Sequence, residues 1–245
     1  MQRKSLKQFV PIGWRNYFRY LKYRVGSRAF EGPLLRVFSE IYRTNHWKGE
    51  ESICGITSGI EQTSDLRSRL QHWLAAQNIR SVLDAPCGDF VWMREMDLRD
   101  IAYTGVDIVP EMILQNTECY AGPGIAFHVL DITSDAIPRA DLILCRDCLV
   151  HLSFRNIKKT LDRFLESGSR YLACTSFVQN RFNYDICDGD WRTLNMQKAP
   201  FFFPAPLAVI PDDCALGDGA FADKSLCIWS LNAIGRRSSK NAVHP

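Results

Sequence analysis

Between residues 81 and 178 the chain alternates short apolar runs with helix-length amphipathic stretches, and this rhythm restricts the fold more than any other feature. Apolar runs at 81–85, 102–108, 125–132, 140–146 and 170–178 read as strands, and two later runs at 207–210 and 226–234 bring the count to seven. The run ADLILCR at 140–146 has no polar face, which a strand tolerates where helices cover both sides of a parallel sheet. Between the strands, 91–97 predicts a short helix, 110–119 a helix with Pro110 in its first turn, and 153–166 a helix capped by Ser153. Upstream, Ser64 and Asp65 open a helix to about residue 77, with Leu66, Leu70, Trp73 and Leu74 as its apolar stripe. The pattern predicts an α/β fold: a doubly wound, mostly parallel, seven-stranded sheet.

Such a sheet binds ligands beyond the carboxyl ends of its strands, and in this chain those ends are acidic. The first run ends in Asp84-Ala85-Pro86-Cys87-Gly88-Asp89-Phe90, a tight turn that lets backbone approach a ligand. Twenty-three residues after Asp84, the second run ends at Asp107, where a carboxylate can accept two hydrogen bonds from the vicinal hydroxyls of a ribose. The third ends in Asp131-Ile132, and the fourth in Arg146-Asp147-Cys148-Leu149-Val150-His151.

In order and spacing these four motifs resemble those of the class I S-adenosylmethionine (SAM)-dependent methyltransferases, over residues 60–178. The wider set, with PCGDF, RDCLVHL and WRTLN, is similar to an uncharacterised bacterial subgroup of that family. The resemblance implies a Rossmann-like fold and SAM as cofactor, with S-adenosylhomocysteine (SAH) as product. It implies a cofactor site made of Asp84, Ala85, Pro86, Cys87, Gly88, Asp107, Ile108, Asp131, Ile132 and Arg146, with Asp84 near the SAM amino group, Asp107 on the ribose and Asp131-Ile132 at the adenine. The three glycine places of the family's first motif hold Pro86, Gly88 and Phe90. Phe90 predicts a narrower helix–strand approach and an altered methionine pocket. The missing glycines also disfavour a nicotinamide site, whose pyrophosphate needs GxGxxG.

For catalysis the candidates are His151, a general base by virtue of an ordinary pKa near 6.5, and Asp147, as an alternative base, as a group that positions the sulfonium, or as one that orients His151. His151 also suits a satisfied core histidine. Residues 180–205 form a long polar-aromatic stretch that reads as a substrate lid or wall, with Trp191, Arg192 and Asn195 as substrate-binding candidates. Asp185, Asp188 and Asp190 suit either a hard cation or ordinary turn chemistry; no metal is expected. Arg67 suits either the SAM carboxylate or a solvated helix face. The expected reaction is O-methylation of a small hydroxylated molecule or glycan. The alternatives are an RNA or protein methyltransferase, and a SAM-fold module without catalysis.

Charge is unevenly placed. Residues 1–30 hold eight basic residues and no acid, leaving 22 basic against 27 acidic residues in the remainder. Trp14, Tyr17, Phe18, Leu21 and Val25 form one helical face in that segment, which suits docking on the body, peripheral contact with an anionic membrane, or RNA. Nucleic acid is not the expected partner at a net charge of +3. Nine irregularly spaced cysteines read as reduced thiols of a cytoplasmic protein, and Cys145 and Cys148 lack a second pair to complete a zinc site. The expected organisation is a basic N-terminal extension and irregular segment at 1–60, the methyltransferase domain at 61–236 and a tail at 237–245.

Overall fold

The computed structural model describes residues 17, 19–23, 30–212 and 221–241, without the side chains of 237–241. Its seven strands are β1 (Ser81–Asp84), β2 (Ala102–Asp107), β3 (Ile125–Val129), β4 (Leu142–Cys145), β5 (Tyr171–Phe177), β6 (Ala208–Pro211) and β7 (Lys224–Ser230). They form one sheet in the order β3-β2-β1-β4-β5-β7-β6. Strands β1 to β5 are parallel, and β7 runs antiparallel to both β5 and β6. Among the described residues the helices with both ends defined are α1 (Leu34–Arg43), α2 (Ser64–Ala76), α3 (Pro110–Tyr120), α4 (Phe154–Glu166) and α5 (Leu231–Asn241).

Alternate residues of the central strand enter different apolar layers, because side chains along a strand point to opposite faces. Leu142 and Leu144 pack with Leu66, Leu70 and Leu74 of α2 and Ile113 of α3. Ile143 and Cys145 pack with Ile157, Leu161 and Phe164 of α4 and Leu231 and Ile234 of α5. Each of these large side chains contributes about 2 kcal/mol by leaving water. Helix α4 starts at Ser153, whose side chain accepts the Asn156 N–H as its N-cap. The strand order reverses at β1, with β2 and β3 on one side and β4 on the other. A crevice therefore opens beyond the carboxyl ends of β1 and β4.

Three sequence expectations need correction. The irregular part of the 1–60 segment is not irregular throughout. Helix α1 lies within it and presents Leu34, Val37, Phe38 and Ile41 at helical spacing, with Val37 and Ile41 buried. Residues 91–97 make no α-helix. Phe90 takes φ 61°, and only a single 3-10 turn, Met93–Glu95, follows. Strand β7 stops at Ser230, opposite Tyr171 at the start of β5, so Leu231 and Ile234 begin helix α5 rather than extend a strand, and α5 runs into the expected tail.

In the N-terminal segment, residues 17 and 19–23 are helical. Tyr20 packs against Phe182 and Tyr184, with ring centroids 5.6 and 5.3 Å apart, and Tyr23 lies 5.8 Å from Tyr184. The docked side chains, Tyr20 and Tyr23, lie outside the predicted stripe, whose Tyr17 and Leu21 are exposed. Trp14, Phe18 and Val25 lie outside the described residues. Residues 180–205 are coil, yet Leu194, Met196 and Phe203 enter the core, so the stretch is a packed wall.

Candidate active site

A cavity opens at the crevice. Nine of the ten residues predicted to hold a cofactor line it: Asp84, Pro86, Cys87, Gly88, Asp107, Ile108, Asp131, Ile132 and Arg146. Ala85 does not. It is fully buried in the core, and its N–H donates to Leu144 O at 2.8 Å.

The turn after β1 is built on Gly88. Its φ of +57° favours glycine, and a Cβ at this position would meet Cys54 Sγ at 2.5 Å. The Gly88 N–H donates to Asp107 Oδ2 at 3.3 Å, and Val109 N–H donates to Asp107 Oδ1 at 3.0 Å. Asp107 is buried, and among the described residues no cation pairs with it. Burial pushes its carboxyl up to about 6, with the backbone N–H groups of Val109, Gly88 and Ile108 opposing the rise. Asp84 is buried deeper and pushed by that burial up to about 7. The Tyr103 hydroxyl, donating at 2.8 Å, and the Arg146 charge oppose the shift. Asp131 accepts the N–H and hydroxyl of Thr133 at 2.8 and 2.7 Å, which shapes the turn after β3.

Phe90 does not narrow the cavity. It is buried among Tyr103, Tyr120 and Phe127, at ring distances of 5.0 to 5.3 Å. The left-handed backbone of the third glycine place survives. With no regular helix following it, there is no close helix–strand approach for a side chain to obstruct.

Beyond β4, Asp147 and His151 both line the cavity. Lys224 Nζ donates to Asp147 Oδ2 at 2.6 Å, Thr57 Oγ1 donates to the same oxygen at 3.3 Å, and Thr175 Oγ1 donates to Oδ1 at 3.2 Å. Burial opposes its charge, but Lys224 and Arg146 outweigh that and hold the carboxyl far below the usual carboxylate range. Asp147 is therefore ionised and a poor base, which corrects its assignment as a proton acceptor. Arg146 makes a two-pronged pair with Asp212, both bonds at 3.0 Å, and donates to Thr57 O at 2.8 Å. Its place is a wall fixed by charge pairing. Asp212 and Lys224, which complete this buried network, were not singled out from the sequence.

His151 is buried against Trp47, with ring centroids 4.7 Å apart. Its Nδ1 lies 3.0 Å from Asp190 O. A carbonyl only accepts, so Nδ1 carries the proton and Nε2 keeps its lone pair. Burial lowers the imidazole pKa to about 4 against the pull of that carbonyl and of Asp147, and the ring is neutral at pH 7.

The three predicted substrate-binding residues lie outside the cavity lining. Arg192 is fully buried and donates to the carbonyls of Leu149, Val150 and Leu152 at 3.2, 2.9 and 2.7 Å, holding the turn that carries His151. Asn195 is buried and ties Val178 O and Asn180 O together. Trp191 packs edge-on against Phe177 and Phe221. The acid cluster is equally structural: Asp185 and Asp188 accept the N–H groups of Phe154 and Ser153 at 2.7 Å each, satisfying the start of α4. Arg67 donates to Ile60 O at 2.8 Å and lies outside the lining.

The roof of the cavity was missed as well. Leu34, Phe38 and Tyr42 of α1, with Trp47, Ile53 and Cys54, cover the crevice. Asp89 holds the roof segment by accepting Ile53 N–H at 2.8 Å and Ser52 Oγ at 3.1 Å. The helical spacing of 34–41 was the available signal, obscured by Gly32-Pro33 before it and glycines after it.

Residues 82–168 match the family model described as a methyltransferase domain. The match and the strand order together give this part of the chain a methyltransferase-type sequence on a class I methyltransferase fold. Its fold is similar to the N-methyltransferase NodS of Bradyrhizobium japonicum, solved with SAH, at 14% identity over 78% of this chain and 97% of that one, TM-score 0.56. It is also similar to the 1,6-didemethyltoxoflavin-N1-methyltransferase of Burkholderia thailandensis, solved with its substrate and SAH, at 14% identity over 84% of this chain and 92% of that one, TM-score 0.57. The chain spans 66% of the methyltransferase domain of bacterial CtHen1, at 12% identity and TM-score 0.42. No curated protein sequence matches it significantly.

Proposed function

We propose that the chain transfers a methyl group from SAM to the hydroxyl of a small acceptor held under the α1 roof, with His151 as proton acceptor. The observation that carries this reading is His151: Nδ1 is pinned to Asp190 O, leaving Nε2 as the lone-pair nitrogen of a cavity-lining ring.

The residues present fit the cofactor. Asp107 is a buried carboxylate whose protein partners are backbone N–H groups, so it keeps acceptor capacity for two ribose hydroxyls. Ile108 and Ile132, apolar members of the lining, would wall the adenine, and Asp84 and the Gly88 turn would receive the amino-acid end. Bound SAM supplies an electrophilic methyl on a sulfonium that is its own leaving group. The chain does the remaining work. The acceptor hydroxyl passes its proton to His151 Nε2 as its oxygen takes the methyl, and the proton then leaves to solvent. A ring pKa near 4 suits proton transfer concerted with bond formation better than prior ionisation. Trp47 and α1 exclude water and hold the acceptor in line. The roof favours a small molecule or glycan end over a folded macromolecule.

The test is SAH release from SAM across a panel of hydroxylated small molecules and glycans, wild type against His151→Gln. The variant should lose about 10²-fold or more in kcat with SAH affinity within twofold. Undiminished turnover would remove His151 from the chemistry.

A second element of the proposal concerns location. Tyr17, Leu21, Phe182 and Trp191 are exposed, and residues 1–30, which include the first two, hold eight basic residues and no acid, which suits an anionic lipid surface. Among the described residues no helix is long and apolar enough to cross a membrane. Co-sedimentation with phosphatidylglycerol vesicles, but not phosphatidylcholine vesicles, should be lost on deleting residues 1–30. Salt-sensitive RNA binding without vesicle binding would replace lipid by nucleic acid.

A further inference from the structure

The turn at 187–190 joins four parts of the molecule. It closes through Asp190 N–H donating to Cys187 O at 3.2 Å. The Gly189 N–H donates to His151 O at 2.8 Å, and Asp190 O receives His151 Nδ1 at 3.0 Å, so the turn grips this histidine by both backbone and ring. On its other side it is wedged against the roof: a Cβ on Gly189, at φ +91°, would meet Val37 Cγ1 at 2.7 Å and Phe30 at 2.9 Å. Asp188 joins it to α4 through Ser153 N–H and Asn156 Nδ2, at 2.7 and 2.9 Å.

The fourth connection comes from 164 residues away. The Tyr23 hydroxyl accepts the Cys187 N–H at 2.8 Å and donates to Asp190 Oδ2 at 3.1 Å. One side chain thus binds both ends of the turn. Burial pushes the phenol up to about 12, so it keeps its proton and can serve both bonds at neutral pH. The ring itself stacks on buried Tyr184, which fixes its direction.

We infer that Tyr23 is a positioning residue for His151: its hydroxyl locks the 187–190 turn so that the Asp190 carbonyl holds the imidazole as the Nδ1–H tautomer, with Nε2 left for the acceptor. The catalytic consequence rests on the reading of His151 as proton acceptor; the tautomer itself does not. The N-terminal helical residues are thereby part of the catalytic assembly. A chain shortened past Tyr23 keeps the cofactor-binding residues of the sheet and loses the control of the base.

The test uses full-length protein labelled with ¹⁵N-histidine, its tautomers read from long-range proton–nitrogen correlations at pH 7. His151 is assigned by the signal lost in His151→Gln. The wild type should show only the Nδ1–H form. Tyr23→Phe should shift His151 toward the Nε2–H form while SAH affinity, measured by calorimetry, stays within twofold. Asp190→Ala, which keeps the backbone carbonyl but removes the side-chain oxygen that receives the hydroxyl, should shift it in the same direction. A changed tautomer with unchanged methyl transfer would support the positioning role and remove the proton-acceptor role. An unaltered tautomer in folded, SAH-binding Tyr23→Phe would overturn the inference.

Discussion

Replacing Asp84 by asparagine should stabilise the ligand-free protein at neutral and alkaline pH. Asp84 is 2% exposed, and burial lifts its carboxyl from the ordinary 3.8 to about 7. A carboxyl whose pKa is higher folded than unfolded favours the folded state fully below 3.8 and loses that contribution as pH rises through about 7. A displacement of that size corresponds to at most about 4 kcal/mol, with relaxation and water entry reducing it toward about 2. Asparagine carries no charge, and its Oδ1 can still accept the Tyr103 hydroxyl that Asp84 receives at 2.8 Å. Urea unfolding of Asp84→Asn and wild type should therefore differ by less than about 1 kcal/mol at pH 4, with the variant ahead by about 2–4 kcal/mol at pH 8. Asp107 titrates in the same sense but is common to both proteins, so its contribution cancels. A pH-independent difference, or a variant less stable than wild type at pH 8, would refute the assignment of Asp84 as a charge buried at the expense of stability.

Other substitutions probe the scaffold. Arg192→Met strips donors from three buried carbonyls and should lower stability by about 3 kcal/mol or more, seen as a fall in Tm; an unchanged Tm with a raised acceptor KM would restore its role as a substrate contact. Lys224→Met leaves Asp147 and Asp212 to share Arg146 and should destabilise by about 3–5 kcal/mol in urea unfolding at pH 7. Gly88→Ala forces a Cβ onto Cys54 at a left-handed backbone position, so about 1–3 kcal/mol of strain and at least a tenfold loss of SAH affinity should appear together in unfolding and calorimetry.

The sheet and the cofactor-facing residues were legible because their signals are local. An apolar run and the acid that ends it lie within a few residues of each other, as in Thr104 to Asp107 or Leu130 to Ile132. What escaped was set by distance along the chain. Asp147 looks like a base beside His151 until Lys224, 77 residues later, is found to hold it ionised. Arg192 and Asn195 look like ligand contacts, because a polar side chain that satisfies buried backbone is the same residue type as one that meets substrate. Phe90 seemed to obstruct the methionine pocket only on the assumption of a regular helix after β1. The α1 roof carried the helical period in plain view, but its flanking glycines and prolines read as loop.

The most direct measurement is calorimetric titration of SAM and SAH into wild type and Asp107→Ala. Asp107 stands at the end of β2 with its carboxylate buried against the cavity and no cation on it among the described residues. The account predicts micromolar binding by wild type and at least a tenfold weakening in the variant, about 1.4 kcal/mol. Absence of binding by well-folded wild type, or equal affinity in the two proteins, would contradict it.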